Sequence, residues 1–312
     1  MAHIYSLYGV PFATELRLAL PSANPEAVPR FSLREVISLE SLKNAGTVIH
    51  AECDDWMTLR AFVTGELEIE WKDWLSLWIN PDGTEVQYYV EESTYPTAFE
   101  AYIANFAISS ALLLQGEETL HSTAIAFELF GIGLLGGSGA GKSTLAAYLL
   151  GQGGDLITDD MLRITEDAGA VYAERGQPRI KLFEETARQH YRGKINQGRW
   201  NPVSEKYLFD TDDLTRPRER HKLDVLLWLT EPEDGQDDAV TCERLAGLEL
   251  FRVLTGSTMN PRLQTPDRLD RQLLYIQWVA ASLPVYALRY PRRHNIFPEV
   301  VEAIRALQPV AV

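Results

Sequence analysis

The residues best suited to chemistry form one run, Gly136-Gly137-Ser138-Gly139-Ala140-Gly141-Lys142-Ser143-Thr144. Gly-x4-Gly-Lys-Ser is the pattern of a loop that cradles phosphates. Its glycines free the backbone to turn, so that successive N–H groups point at phosphate oxygens. A helix starting near Lys142 adds the positive end of its dipole. Lys142 can neutralise β/γ-phosphate charge, and the Ser143 hydroxyl can ligate Mg²⁺. Chance produces the pattern in roughly one chain in a hundred of this length. The alternative is a Gly-rich strand-to-helix turn that binds nothing.

Asp159 and Asp160 follow Lys142 by 17 and 18 residues, after the apolar run Leu156-Ile157-Thr158. That end of a strand in an open α/β sheet is where ligands sit. One carboxylate could hold Mg²⁺ while the other takes the proton from an attacking hydroxyl; alternatively the pair caps a helix. His121 lies 21 residues before Lys142. Near Asp159 it would tune or orient that carboxylate, and elsewhere it is a structural histidine.

A third group is basic. Arg175 to Lys222 holds 12 Lys/Arg against 7 Asp/Glu, in a chain of net charge −15. Arg179 and Lys181 alternate in a Pro-flanked extended stretch, so their side chains share one face. Either could meet the γ-phosphate, the transition state or a peptide carboxylate, with Arg179 the stronger candidate and Lys206 behind it. The alternative is a solvated basic surface. Trp200-Asn201-Pro202 and its flanking Gly-containing loop are a candidate substrate lid. Trp71, Trp74 and Trp78 are candidates for core or for a peptide-binding face.

The elements that must position these groups change character along the 312 residues. The first hundred read as β, with strands expected at Ile4–Val10, Glu15–Leu20, Glu66–Trp71 and Glu85–Val90. Pro11 and Pro21 are expected stops, and Asn80-Pro81-Asp82-Gly83 is a turn. Thr97 to Gln115 reads as a helix closed by Gly116. Strands are then expected at His121–Phe127, Ile132–Leu135, Leu156–Thr158, Val225–Leu229 and Val285–Leu288. Helices over Leu145–Leu150, Leu245–Leu254 and Arg268–Ser282 alternate with them, which indicates an α/β domain. The expected division is a β-rich domain over 1–116 and a P-loop domain over 117–312. Glu231–Asp238 reads as a solvated acidic loop.

Composition excludes several classes. With 29 Lys/Arg against 44 Asp/Glu, the chain lacks the basic footprint of a nucleic-acid binder. Two cysteines, Cys53 and Cys242, make neither a disulfide framework nor a Cys-rich zinc site, so a cytoplasmic location is expected. The start lacks the pattern of a signal peptide. Ala101–Leu114 is interrupted by Asn105, Ser109 and Ser110 and reads as a buried helix, so no membrane partner is expected. Neither the Asn-Lys-x-Asp of GTPases nor the Leu-Ser-Gly-Gly-Gln of transport ATPases occurs.

The run His121-x5-Phe127-x3-Gly131-Ile132-Gly133-Leu134-Leu135-Gly136-x-Ser138-Gly139-x-Gly141-Lys142-Ser143, with Leu156-Ile157-x-Asp159-Asp160 after it, resembles HPr kinase/phosphorylase. The likeness covers about residues 117–165 well and the remainder loosely. It implies a P-loop fold related to ATP-dependent phosphoenolpyruvate carboxykinase, preceded by a smaller, mainly β α+β domain. It also implies ATP and Mg²⁺ as cofactors, Asp159 as acid/base, His121 as its support, and Ser143 and Asp160 at the metal. The Glu-Ile-Arg-Gly run of the bifunctional enzymes is missing; Gly176-Gln177-Pro178-Arg179-Ile180-Lys181-Leu182-Phe183 stands there. The chain in this respect resembles the HPr-kinase-related kinases of lasso-peptide and other peptide-modification gene clusters. Tyr5-x-Leu7-x-Gly9 and Pro284-Val285-Tyr286-x-Leu288 match their segments, and Lys206-Tyr207 stands where they carry a Lys-Arg-like basic site. That resemblance implies a precursor peptide as partner, phosphorylated on a Ser, in the lasso-related enzymes the C-terminal one. HPr-like carriers, small-molecule acceptors and a non-catalytic nucleotide sensor remain alternatives, and the HPr enzymes supply a homo-oligomer as a precedent for assembly.

Overall fold

The computed structural model describes residues 2–24, 26–38, 40, 46–91, 96–128, 130–190, 197–211, 219–232 and 239–308. The chain is a mixed α/β protein with several sheets, divided into two compact units. The first comprises Met1–Thr119, Asn201–Ser204 and Met259–Leu274, and the second holds the rest. The division after Thr119 lies close to the expected one at 116/117, but the first unit also takes in two later segments.

The first unit is built on one eight-stranded sheet: β1 (His3–Leu7), β2 (Val10–Thr14), β3 (Phe31–Glu35), β4 (Val48–Cys53), β5 (Met57–Phe62), β6 (Leu67–Trp71), β7 (Leu75–Ile79) and β8 (Glu85–Val90). Their order is β1-β2-β3-β8-β7-β6-β5-β4. Pro11 lies inside β2 instead of stopping a strand. Ser6, its cross-strand partner, sends its N–H outward to the Pro21 carbonyl, so this is a non-hydrogen-bonded pair and the missing proline N–H costs no ladder bond. Glu15–Leu20 is not a strand. The expected turn at Asn80–Gly83 joins β7 to β8, and Gly83 (φ +67) fits where a Cβ would meet the Ala111 carbonyl oxygen at 2.3 Å.

A helix follows as α1 (Pro96–Tyr102), a π-helical turn over Ile103–Ala107, and α2 (Ile108–Leu114). Pro96–Leu114 is long and apolar enough to cross a membrane by length and composition, yet 67% of its most apolar window is buried. Trp71 and Trp74 are buried and ring Tyr102 edge-on. The three tryptophans belong to a strand–turn–strand, not a helix, and Trp71 and Trp74 are core.

The segment 259–274 is fastened within this unit by Arg268, only 1% exposed. Its guanidinium donates to both carboxylate oxygens of buried Glu118, at 3.1 and 3.2 Å, and to the Met259 and Asn260 carbonyls at 2.8 and 2.9 Å. A buried charge is tolerated only when paired and fully hydrogen-bonded, as here.

The second unit contains β9 (Leu120–Phe127), β10 (Phe130–Leu135), α3 (Lys142–Gly151), β11 (Asp155–Thr158), β12 (Met161–Leu162), β13 (Ile164–Asp167), β14 (Ala170–Glu174), β15 (Arg179–Leu182), α4 (Glu184–His190), all but the last residue of β16 (Arg199–Asn201), β17 (Lys206–Asp210), β18 (Arg220–Lys222), β19 (Val225–Thr230), β20 (Thr241–Arg244) and α5 (Gly247–Gly256). α6 (Pro266–Ser282) begins in the first unit's segment, and β21 (Val285–Arg289) and α7 (Phe297–Arg305) close the chain. The central sheet runs β11-β9-β10-β19-β21-β20, with β12 also on β9. β10, β19 and β21 are parallel, and the others join antiparallel. Val225–Leu227 and Ile132–Leu135 are buried throughout, as expected for strands covered on both faces. One core cluster joins the sheet to α3 and α7, and a second covers the opposite face. Two small sheets, β13-β14-β18 and β15-β17-β16, accompany it. Most of the expected Glu231–Asp238 loop lies outside the described residues.

Arg268→Met is expected to destabilise the protein by about 3–5 kcal/mol, because it leaves the Glu118 carboxylate buried without its partner. Denaturant unfolding checks this, and a loss below 1 kcal/mol contradicts it.

Candidate active site

β10 runs into the Gly136–Gly141 loop, and α3 starts at Lys142. Gly136 (φ +147) and Gly141 (φ +87) take backbone conformations that a side chain would strain, and a Cβ on Gly136 would meet that of Ala140 at 2.7 Å. Nothing lies within 4 Å of where a Cβ would stand on Gly137 or Gly139, so the outer face of the loop is open. The N–H groups of Lys142, Ser143 and Thr144 open a helix and have no intrahelical acceptor. Lys142 Nζ folds back onto the Gly136 and Gly137 carbonyls at 2.7 and 3.2 Å. Burial lowers its proton affinity from the ordinary lysine value.

The carboxylate pair lies where two short strands meet along β9. β11 and β12 both pair with β9, with a register shift between Leu156 and Thr158. Residues 159 and 160 form the tight turn between the two pieces, with Asp160 at φ +70. Met161 stands opposite His121 on β9, which brings the imidazole beside the turn.

The two aspartates have different surroundings. Asp159 is 6% exposed. Its oxygens accept from Thr123 Oγ1 at 2.7 Å and from the Lys181 N–H at 3.0 Å. Burial, and then the charge of Asp160, raise its proton affinity. Asp160 is partly exposed and forms an ion pair with Lys181 Nζ. Burial pushes its carboxyl up, but the charge and hydrogen bond of Lys181 outweigh burial and hold it below the usual carboxylate range. His121 is pushed down to about 4, by burial first and by the nearby Lys142 charge second, so its imidazole is neutral at pH 7.

A cleft of about 170 Å³ is lined by the 137–144 loop, His121, Asp160, Lys181, Phe183 and Lys206. The structure thus brings together most of the residues singled out by sequence. Lys206 Nζ stands 4.9 Å from the Phe183 ring centre at this cleft. Gly136 lies behind the loop, and its carbonyl holds Lys142. Asp159 lies behind the cleft wall, bound to Lys181, and does not line it.

Arg179 requires a correction. Its guanidinium is buried, and its Nε donates to Asp210 Oδ1 at 3.0 Å, away from the cleft lining. It shares a face with Lys181, as alternation demands, but two residues along a strand is about 6.6 Å, and Lys181 is the one that lines the cleft. Sequence reasoning ranked the pair in the opposite order and missed Thr123 and Phe183. Of the candidate lid, residues 191–196 lie outside the described residues, and Trp200 is 46% exposed on β16.

The residues present fit a magnesium–nucleotide phosphate group. The loop face is open, and Lys142, Lys181 and Lys206 converge on it with one cleft-lining carboxylate. Among the described residues no group of three or more His, Cys, Asp or Glu could hold a metal alone. Ser143 and Asp160 line the same cleft, a donor set that suits Mg²⁺ shared with phosphates.

No family model and no curated protein matches the chain. Among solved structures, the chain is similar to the Hpr(Ser) kinase/phosphatase from Coxiella burnetii. The match has 14% identity, covers 60% of this chain and 94% of that one, and has a TM-score of 0.34. A likeness this slight transfers neither fold nor activity; the site stands on its own residues.

His121 also links the site to stability. Its folded-state value of about 4 lies below the ordinary 6.5, so between these values the unfolded chain binds a proton that the folded chain does not, and stability falls as pH drops through this window. The metal-free wild type is expected to lose more melting temperature between pH 7 and pH 5 than His121→Gln. Equal losses contradict the assignment.

Proposed function

We propose that this protein is an ATP- and magnesium-dependent kinase that transfers the γ-phosphoryl group to a Ser or Thr hydroxyl of a small precursor peptide. The observation that carries the proposal is one cleft in which an open phosphate loop faces a carboxylate turn whose two proton affinities are driven apart. Such a split is how two similar groups come to serve as proton acceptor and charged ligand.

Backbone amides of the 136–144 loop and Lys142 hold the phosphates. Ser143 and Asp160 would hold the magnesium ion, which when bound neutralises charge on the phosphate oxygens. Lys181 and Lys206 take over the task expected of Arg179 and offset charge on the transferring group. The acceptor oxygen attacks the γ-phosphorus, the bond from phosphorus to the β,γ-bridging oxygen breaks, and ADP leaves. The acceptor's proton passes to Asp159, the carboxylate with raised proton affinity, while neutral His121 stands beside the turn. A second assignment is favoured by one observation: Asp160, not Asp159, lines the cleft, which makes Asp160 the nearer proton acceptor.

The peptide acceptor, and within the lasso-type reading its C-terminal Ser, rests on the sequence resemblance of residues 5–9, 206–207 and 284–288. Exposed Phe183 beside Lys206 offers a peptide an apolar and a cationic contact at the cleft.

The test is intact-mass spectrometry after incubation with Mg-ATP, using a Ser-containing precursor peptide, an HPr-like carrier and a panel of free amino acids and keto acids. The expected result is one phosphoryl group on a peptide Ser. Transfer only to the carrier or to a small molecule overturns the peptide reading, and ATP binding without transfer to any of them favours a sensor. In the same assay Asp160→Asn is expected to raise the Mg²⁺ concentration for half-maximal rate at least tenfold. An unchanged Mg²⁺ requirement with a lost rate supports Asp160 as the proton acceptor instead.

A further inference from the structure

The phosphate loop is flanked by a second cavity, of about 210 Å³. Gly139, Ala140, Gly141 and Thr144 line both it and the catalytic cleft. The other walls of the second cavity are Thr186, Tyr290, Arg292, Arg293 and Phe297. Lys142, Ser143, Asp160 and His121 face only the first cavity. A nucleoside triphosphate has a reacting end and a nucleoside end. If the reacting end lies with the metal ligands and carboxylates, the chain of phosphates crosses the loop and its other end leaves past Thr144.

The chemistry of the second cavity fits that end. Tyr290 and Phe297 are both 4% exposed and form an aromatic floor. Their ring centres are 6.3 Å apart. Burial pushes the Tyr290 phenol up to about 12, so it remains a neutral hydroxyl. Arg292 forms the rim. Its Nε pairs with Glu231 Oε1 at 2.7 Å, and its Nη1 donates to the Gly139 carbonyl of the loop itself. These two contacts engage the guanidinium and match part of its charge. That makes it less an anion trap than a flat surface on which a base can stack.

We infer that this cavity seats the ribose and base of the nucleotide, with the Arg292 guanidinium stacked on the base above Tyr290 and Phe297. The inference rests on the kinase reading of the loop but goes beyond it, because it assigns the nucleoside half of the ligand to residues after the last strand. No part of the sequence pattern around 136–160 points there. The only sequence trace is the pair Arg292-Arg293, which follows the apolar β21 and Pro291.

The test compares two probes, Mg-ATP and magnesium tripolyphosphate, by calorimetry on the full chain. Tripolyphosphate carries the phosphates without the nucleoside, so it reads the loop alone. The wild type is expected to bind Mg-ATP more tightly than tripolyphosphate. Arg292→Ala is expected to raise the Kd for Mg-ATP on the order of tenfold and to leave tripolyphosphate within twofold. Arg292→Lys, which keeps the charge but loses the plane, should behave like Arg292→Ala. Equal wild-type affinities for the two probes, or a parallel loss of both in Arg292→Ala, overturns the nucleoside seat while leaving the phosphate loop intact. Binding of neither probe by the wild type overturns the kinase reading as well.

Discussion

β9 is the strand on which the candidate site depends. It pairs with β10, which leads into the phosphate loop, and on its other side with β11 and then β12. The register slips once, at Ile157; from Thr158 to Met161 the two shorter strands keep one register on β9, so residues 159 and 160 bridge them opposite Thr123 and Ser122, and the Asp160 carbonyl accepts from the Ser122 N–H at 3.1 Å. The same strand supplies Thr123 to hold Asp159 and His121 to stand beside Asp160. Asp159, His121 and the 136–144 loop are therefore positioned around one strand. That backbone frame is far stiffer than the side chains it carries.

Electrostatics then separates two chemically identical carboxylates. Burial and the neighbouring Asp160 charge raise the proton affinity of Asp159, while Lys181 lowers that of Asp160. The net charge of −15 makes the converging lysines Lys142, Lys181 and Lys206 the more telling. Phosphate oxygens would relieve their mutual repulsion and release Lys142 from the Gly136 and Gly137 carbonyls that it now occupies.

The part of this that the sequence made legible is the part where chemistry dictates residues at fixed, contiguous spacing. The loop at 136–144, the strand before it, the helix after it and the adjacent aspartates follow from that logic. Lys181 against Arg179 did not, because alternation places both on one face and cannot say which lies nearer the loop; the partner that keeps Arg179 away, Asp210, is on a different strand. Pro11 inside β2 was illegible for a similar reason, since its tolerance depends on which side of a ladder its nitrogen faces. The grouping of 259–274 with the first unit was hidden too, resting on Arg268 and Glu118, 150 residues apart. Arg292 is legible only once β21 is seen to end beside the loop.

On the proposed mechanism Asp159 removes the acceptor's proton while the loop holds the nucleotide. Single-turnover phosphoryl transfer to the precursor peptide, with wild type and Asp159→Asn both saturated with Mg-ATP, tests it most directly. Asp159→Asn is expected to lose at least a hundredfold in rate with its nucleotide Kd changed less than threefold. Transfer by Asp159→Asn at the wild-type rate contradicts it.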